Sequence, residues 1–194
     1  KKQGGADVVI AVMSGNYLQR GEPALVSKWN RTEMALQGGI DIVFELPYQY
    51  ATQSADIFAS GAVSLLDACG CHALCFGSES GDIEAFSETI QFINENHDAF
   101  QTAIRENTST GVSYPKAVAL SFQSLHGKEN LLDLSKPNNI LGLQYVAAIN
   151  KQNSVMKPLT ITRKNAEYHD EQFSSNHIAS ATSIRKALFS NNGD

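Results

Sequence analysis

No apolar run in this 194-residue chain approaches the ~20 residues a membrane-spanning helix needs, and no secretory signal opens it. Neither a membrane protein nor a secreted one is expected; the expected compartment is the cytoplasm. Cysteine is scarce: Cys69, Cys71 and Cys75 are odd in number and crowded together, which excludes a disulfide framework. They read as free thiols in a reducing compartment. With His72 the only other good ligand beside them, no metal site is expected there. There is no excess of positive charge. The formal net charge is -5, so the bulk composition does not announce a nucleic-acid binder, although a local basic face stays open. Internal repeats and low-complexity tracts are missing too.

What is present suits one well-filled core, with room for a small subdomain, since 42% of the residues are hydrophobic. Lys1 and Lys2 read as the tail of a helix stopped at Gly4-Gly5. Residues 7–13 and 40–46 are continuous apolar runs of the kind found in strands covered on both faces. Residues 73–76 form a third, shorter strand, with Cys75 buried in it. Helices are expected over residues 27–37 and from 54 to about 67. In the first, Trp29, Met34, Ala35 and Leu36 are available for packing; in the second, Ala55, Ala59, Gly61 and Ala62 permit close approach to a sheet. A third helix begins near Asp82. Three strands each followed by a helix predict an α/β fold, a parallel sheet wound on both faces.

The stretch from about 82 to 124 reads as all-helical, 126–137 as a connector, and Pro137 opens a helix to about Asn150. Residues 159–163 are a fourth strand, and 164–179 a polar, irregular loop.

Ligands of such sheets sit just beyond the carboxyl ends of the strands. The loops at Ser14-Gly15-Asn16, 47–50 and 77–80 are therefore candidates to line one crevice. The chain is organised around Ser180-Ala181-Thr182-Ser183-Ile184-Arg185, which reads as a helix entry. Unpaired N–H groups, hydroxyls and an arginine there suit a phosphate; an ordinary capped helix with a surface arginine is the alternative. Lys28 and Arg31 share one helix face, open to phosphate, to an RNA backbone or simply to solvent.

Several stretches together resemble one family: MSGNYLQRGEPALVSKWNRTEMAL (13–36), ELPYQYATQSADIFASGAV (45–63), FGSESGDI (76–83), GVSYPKA (111–117), PNNILGLQY (137–145), ITRKNAEYHD (161–170) and ATSIRKAL (181–188). They are similar to the bacterial tRNA(Met) cytidine acetate ligases, which are nucleotidyltransferase-like. The resemblance implies a HUP-like nucleotidyltransferase fold over residues 1–194 with a helical insertion at about 82–136. It implies an enzyme that uses ATP, with Mg²⁺, to activate acetate as acetyl-adenylate and then acetylates the wobble cytidine of elongator tRNA(Met). By comparison with that family the first strand and its His-x-Gly-His loop are missing, as is the further C-terminal region. The chain therefore reads as a fragment, without the main catalytic histidines.

The resemblance also implies roles. Gly77 is expected to lie against ATP where a side chain would block it, the alternative being a turn glycine. Asn138 or Asn139 would hold adenosine, or Asn139 merely cap its helix. Arg163 would bind nucleotide or pair at the surface. Ser180, Thr182 and Arg185 would contact the triphosphate. Backbone N–H groups at Ser14, Gly15 and Asn16 would face the meeting point of acetate and the α-phosphate. Two other readings stay open: a coenzyme-type adenylyltransferase, and a non-catalytic nucleotide- or RNA-binding fragment.

Overall fold

A computed structural model describes residues 5–125, 130–163, 184–185 and 188–189. The elements run β1 (Ile10–Ser14), α1 (Lys28–Gln37), β2 (Ile42–Leu46), α2 (Tyr48–Ala51), α3 (Ala55–Ala68) and β3 (Ala73–Ser78). Then come α4 (Ile83–Glu95), α5 (His97–Ser109), α6 (Tyr114–Leu125), α7 (Pro137–Lys151) and β4 (Lys157–Thr162). Local chemistry sets several boundaries. The Ser27 hydroxyl accepts from the Asn30 N–H at 3.2 Å, and the Asp82 carboxylate from the Glu84 N–H at 3.0 Å. Pro137 occupies the first turn of α7, where its missing N–H costs nothing. The helix tail expected at Lys1 and Lys2, the polar loop expected at 164–179, and Ser180, Thr182 and Ser183 lie outside the described residues.

The strands are parallel, as expected for an α/β fold. Among the described residues they form two pairs: β1 with β2, in register from Ile10–Ile42 to Ser14–Leu46, and β3 with β4, from Ala73–Lys157 to Ser78–Thr162. One core cluster joins Leu74 and Phe76 of β3 to Phe86, Phe122, Leu143 and Ile149 of the helices; a smaller one joins Leu46, Ala51 and Ala62 to Val12, Tyr50 and Phe58. Helix α3 contributes to both, Ala59 and Val63 to the first, Ala62 and Phe58 to the second. Ala59, Gly61 and Ala62 are buried, and the close approach at Gly61 is to a helix rather than to the sheet. A Cβ at Gly61 would lie 2.5 Å from Cγ of Tyr50, so only glycine lets α2 come this close.

Three expectations are corrected. The runs at 7–13 and 40–46 are not wholly buried: β1 is half-buried along its length, and in β2 only Leu46 is fully buried. Cys75 is exposed, because Leu74, Phe76 and Ser78 take the inward positions and period-2 alternation turns Cys75 outward. Leu159 and Ile161, opposite Cys75 and Gly77 in the register, are exposed with it. In α1 no residue is buried; Trp29 is 73% exposed, and Met34 and Leu36 are exposed as well. The helix α2 was missed because Pro47 ends the strand and caps the helix at once.

Tyr145 of α7 packs against both clusters, its ring 5.7 Å from that of Phe76. Burial pushes its phenol up to about 12. The unfolded phenol titrates near 10, so the folded chain holds the proton more tightly. Stability is therefore full below pH 10 and falls as pH rises from 10 towards 12, by about 2–3 kcal/mol. Denaturant midpoints measured across this range should decline in the parent chain and decline less in Tyr145→Phe.

Candidate functional site

Two groups of residues gather at the carboxyl ends of the strand pairs. The first lies beyond β1 and β2. The Arg31 guanidinium donates to the Ser14 carbonyl at 3.0 Å and to the Gly15 carbonyl. In a trans peptide the carbonyl and the next N–H point in opposite directions. The N–H groups of Gly15 and Asn16 are thus aimed away from the arginine. Arg31 Nε is buried and has no partner among the described residues. Lys28 is not a free phosphate ligand here: its Nζ lies 2.6 Å from the Glu45 carboxylate and 5.2 Å from the centre of the Trp29 ring. A Cβ at Gly15 would collide with that same carboxylate. A cavity of about 110 Å³ opens between α1 and the strands, with Ser14, Lys28, Trp29 and Glu45 on its wall.

Residues 17–23 then fold back as a hairpin. Tyr17 bridges Pro23, the Ala24 N–H donates to the Asn16 carbonyl at 2.9 Å, and the Tyr17 and Tyr48 rings meet edge to face at 5.8 Å. Arg185 reaches this hairpin from the far end of the chain, donating to the Pro23 carbonyl at 2.8 Å. Of the sequence-singled helix entry, Ile184 and Arg185 are described and helical; Ser180 and Thr182 lie outside the described residues.

The second group lies beyond β3 and β4. The stem of Arg163 covers Gly77, where an added Cβ would meet the arginine Cγ at 3.4 Å. The Arg163 N–H donates to the Ser78 carbonyl at 2.9 Å. Ser78 is fully buried, its hydroxyl hydrogen-bonded to the Thr160 hydroxyl at 2.7 Å while accepting from the Gly81 N–H at 2.9 Å. Gly81 has φ +68 and sits against Thr162, a position that tolerates no side chain. The loop between is locked to α7 from both sides. Asn139 Oδ1 accepts from the N–H groups of Glu79 and Ser80 at 3.1 and 3.0 Å, and its amide donates to the Asp133 carbonyl at 3.1 Å. In return the Glu79 carboxylate accepts from the Asn138 side-chain amide at 2.7 Å and the Asn139 N–H at 2.8 Å.

The structure thus brings Gly77, Asn138, Asn139 and Arg163 together, and separately Ser14, Gly15, Asn16, Lys28, Arg31 and Arg185. Sequence reasoning missed Glu45 and Glu79. Each is a lone carboxylate in a strand end or loop; the only signal was its position next to a residue already singled out. Among the described residues no group of three or more His, Cys, Asp or Glu side chains converges. The described part of the chain therefore builds no protein cage for a divalent ion. No helix among the described residues is long and apolar enough to cross a membrane.

The HIGH Nucleotidyl Transferase family model matches residues 1–194. Among curated proteins, the chain is 56% identical over 194 residues to the tRNA(Met) cytidine acetate ligase of Bacillus subtilis (strain 168), covering 99% of this chain and 47% of that protein. It is 52% identical over 189 residues to that of Bacillus cytotoxicus, covering 97% and 48%. Among solved structures it resembles Thermotoga maritima TmcAL in apo form I, with a TM-score of 0.84 and 40% identity, over 96% of this chain and 45% of that one. The same protein bound with alpha-thio ATP gives a TM-score of 0.80 and 38% identity, over 96% and 44%. The chain spans about half the length of these relatives.

Proposed function

We propose, from the premise that this chain belongs to the HIGH Nucleotidyl Transferase family and has its α/β HUP-like fold, that it is the nucleotide-binding part of an ATP-dependent, tRNA-modifying ligase. In this reading the whole protein activates acetate and acetylates the wobble cytidine of elongator tRNA(Met) in the cytoplasm. The observation that carries the reading is the second group: a bare glycine at a strand's carboxyl end, an arginine laid over it, and two asparagines held beside it. A relative of the same fold was solved with an ATP analogue.

The chemistry is a problem of like charges. An acetate oxygen attacks the α-phosphorus of ATP, a P–O bond to the departing pyrophosphate breaks, and acetyl-adenylate results. The cytidine amine then attacks the acyl carbon, loses a proton and displaces AMP. Both carboxylate and triphosphate are anionic, so the first step needs fixed positive ends more than covalent help. Arg163 and Arg185 supply guanidinium charge. The N–H groups of Gly15 and Asn16, turned outward by the grip of Arg31 on the carbonyls, supply donors for oxygen on the α-phosphate or acetate. Lys28, neutralised by Glu45, is left to steady α1 or to meet an RNA phosphate once that pair opens.

Incubating the full-length protein with acetate, ATP and tRNA(Met) should yield acetylcytidine, with pyrophosphate exchange that depends on acetate. Exchange that depends instead on a phosphorylated small-molecule acceptor would move the assignment to a coenzyme-type adenylyltransferase. Arg185→Ala in the full-length protein is expected to weaken ATP binding about tenfold or more, the worth of a charge-assisted hydrogen bond. Calorimetry with ATP checks this, and unchanged affinity would remove Arg185 from the phosphate site.

A further inference from the structure

We infer that Glu79 is a positioning residue that makes the nucleotide site selective for a 6-amino purine, by dictating which way the Asn138 amide faces; this rests on the nucleotide-site reading above. An asparagine amide has a donor end and an acceptor end of nearly the same shape, and its neighbours decide which end goes where. A carboxylate can only accept. Glu79 Oε1 lies 2.7 Å from Asn138 Nδ2, so the donor end of that amide must face Glu79. The acceptor Oδ1 is thereby turned away from the carboxylate, and it makes no hydrogen bond within the described residues.

The carboxylate itself cannot swing aside. It also accepts from the backbone N–H groups of Asn138 at 3.3 Å and Asn139 at 2.8 Å. Its own backbone N–H is held by the buried Asn139 side chain at 3.1 Å. The outward group is thus a fixed acceptor in the first turn of α7, fastened through Glu79 to the loop that follows Gly77. A fixed acceptor pairs with an exocyclic amine, which adenine carries at its 6-position. It opposes a carbonyl oxygen, which hypoxanthine and guanine carry there. A site built to hydrogen-bond one group rejects the analogue that lacks it, because its own polar atom is left unpaired.

The test is titration calorimetry of the full-length protein with ATP and with ITP, which differs in carrying a carbonyl in place of the amine. Wild type should bind ATP at least about tenfold more tightly than ITP. Glu79→Gln replaces an obligate acceptor by a group that can accept or donate, so the Asn138 amide is free to turn over. The ATP-to-ITP ratio should then fall towards one, chiefly through a gain for ITP relative to ATP. Asn138→Ala removes the selective group while leaving the contacts of Glu79 to the α7 backbone, and should lower the ratio in the same way even if Glu79→Gln folds poorly. Equal weakening of both nucleotides in Glu79→Gln, or an unaltered ratio in Asn138→Ala, would overturn the inference and leave Glu79 a loop anchor. A wild-type protein that binds both nucleotides equally would overturn it as well. One that binds neither would remove the nucleotide-site reading itself, and the selectivity with it.

Discussion

Phe86→Ala should lower the unfolding free energy by about 4 kcal/mol, the usual cost of emptying a fully buried aromatic site. Phe86 is 0% exposed and meets Phe76 edge to face at 5.2 Å. Both rings press on the backbone of α7 at Gly142, where an added Cβ would stand 2.5 Å from Phe76 and 2.7 Å from Phe86. The void left by the truncated ring therefore opens directly over a residue with no side chain to fill it. In a chain of this size the melting temperature should drop by on the order of 10 °C. The arrangement predicts a particular coupling. Gly142→Ala alone should destabilise by about 1–3 kcal/mol through overpacking, yet in the Phe86→Ala background its methyl enters the void and should recover part of the loss. Denaturant unfolding of the four chains of that cycle checks both statements; strict additivity would mean the two sites do not share space.

Asn139→Leu should cost about 3 kcal/mol. The leucine fits the volume but leaves three backbone groups without their partner: the N–H groups of Glu79 and Ser80 and the carbonyl of Asp133. Each such loss is worth about 1 kcal/mol or more when the site is dry, and Asn139 is 3% exposed. The consequence reaches beyond stability, because those N–H groups belong to the loop that follows Gly77. Once released, the loop no longer holds Glu79 against α7, and nucleotide affinity should fall with the melting temperature. Asn139→Asp is the informative control. Its oxygens can still accept from both N–H groups, but it offers no donor to Asp133 and brings a second negative charge up to Glu79. It should rank between wild type and leucine in thermal unfolding. A leucine variant as stable as wild type would mean water replaces the amide.

Much of the fold was legible because it rests on local chemistry. Ser27 and Asp82 cap their helices through contacts two or three residues away, and Pro137 sits where a proline helps a helix begin. Such signals survive in sequence alone. The errors came where a neighbour far along the chain decides. The run around Cys75 is apolar enough to look buried, but which of its two faces receives α7 is a tertiary matter, and the thiol fell on the other one. In the site, Gly77, Arg163 and the two asparagines were visible as residue types in telling places. Their geometry was not, because it depends on carboxylates that sequence spacing does not pair with them. Glu45 meets Lys28 across 17 residues, and Glu79 meets Asn138 across 59. The first of these changes what Lys28 is free to do, and the second changes what Asn138 can offer.

Helix α3 lends one set of side chains to each of the two hydrophobic clusters. A beam shared by two rooms cannot be taken from one and left in the other. Melting either strand pair would strip the helix of part of its buried surface and so weaken its hold on the remaining pair. The amides of α3 should accordingly be among the slowest to exchange with deuterated solvent, opening only with the whole molecule, whereas those of α1, which has no fully buried residue, should exchange early and by themselves.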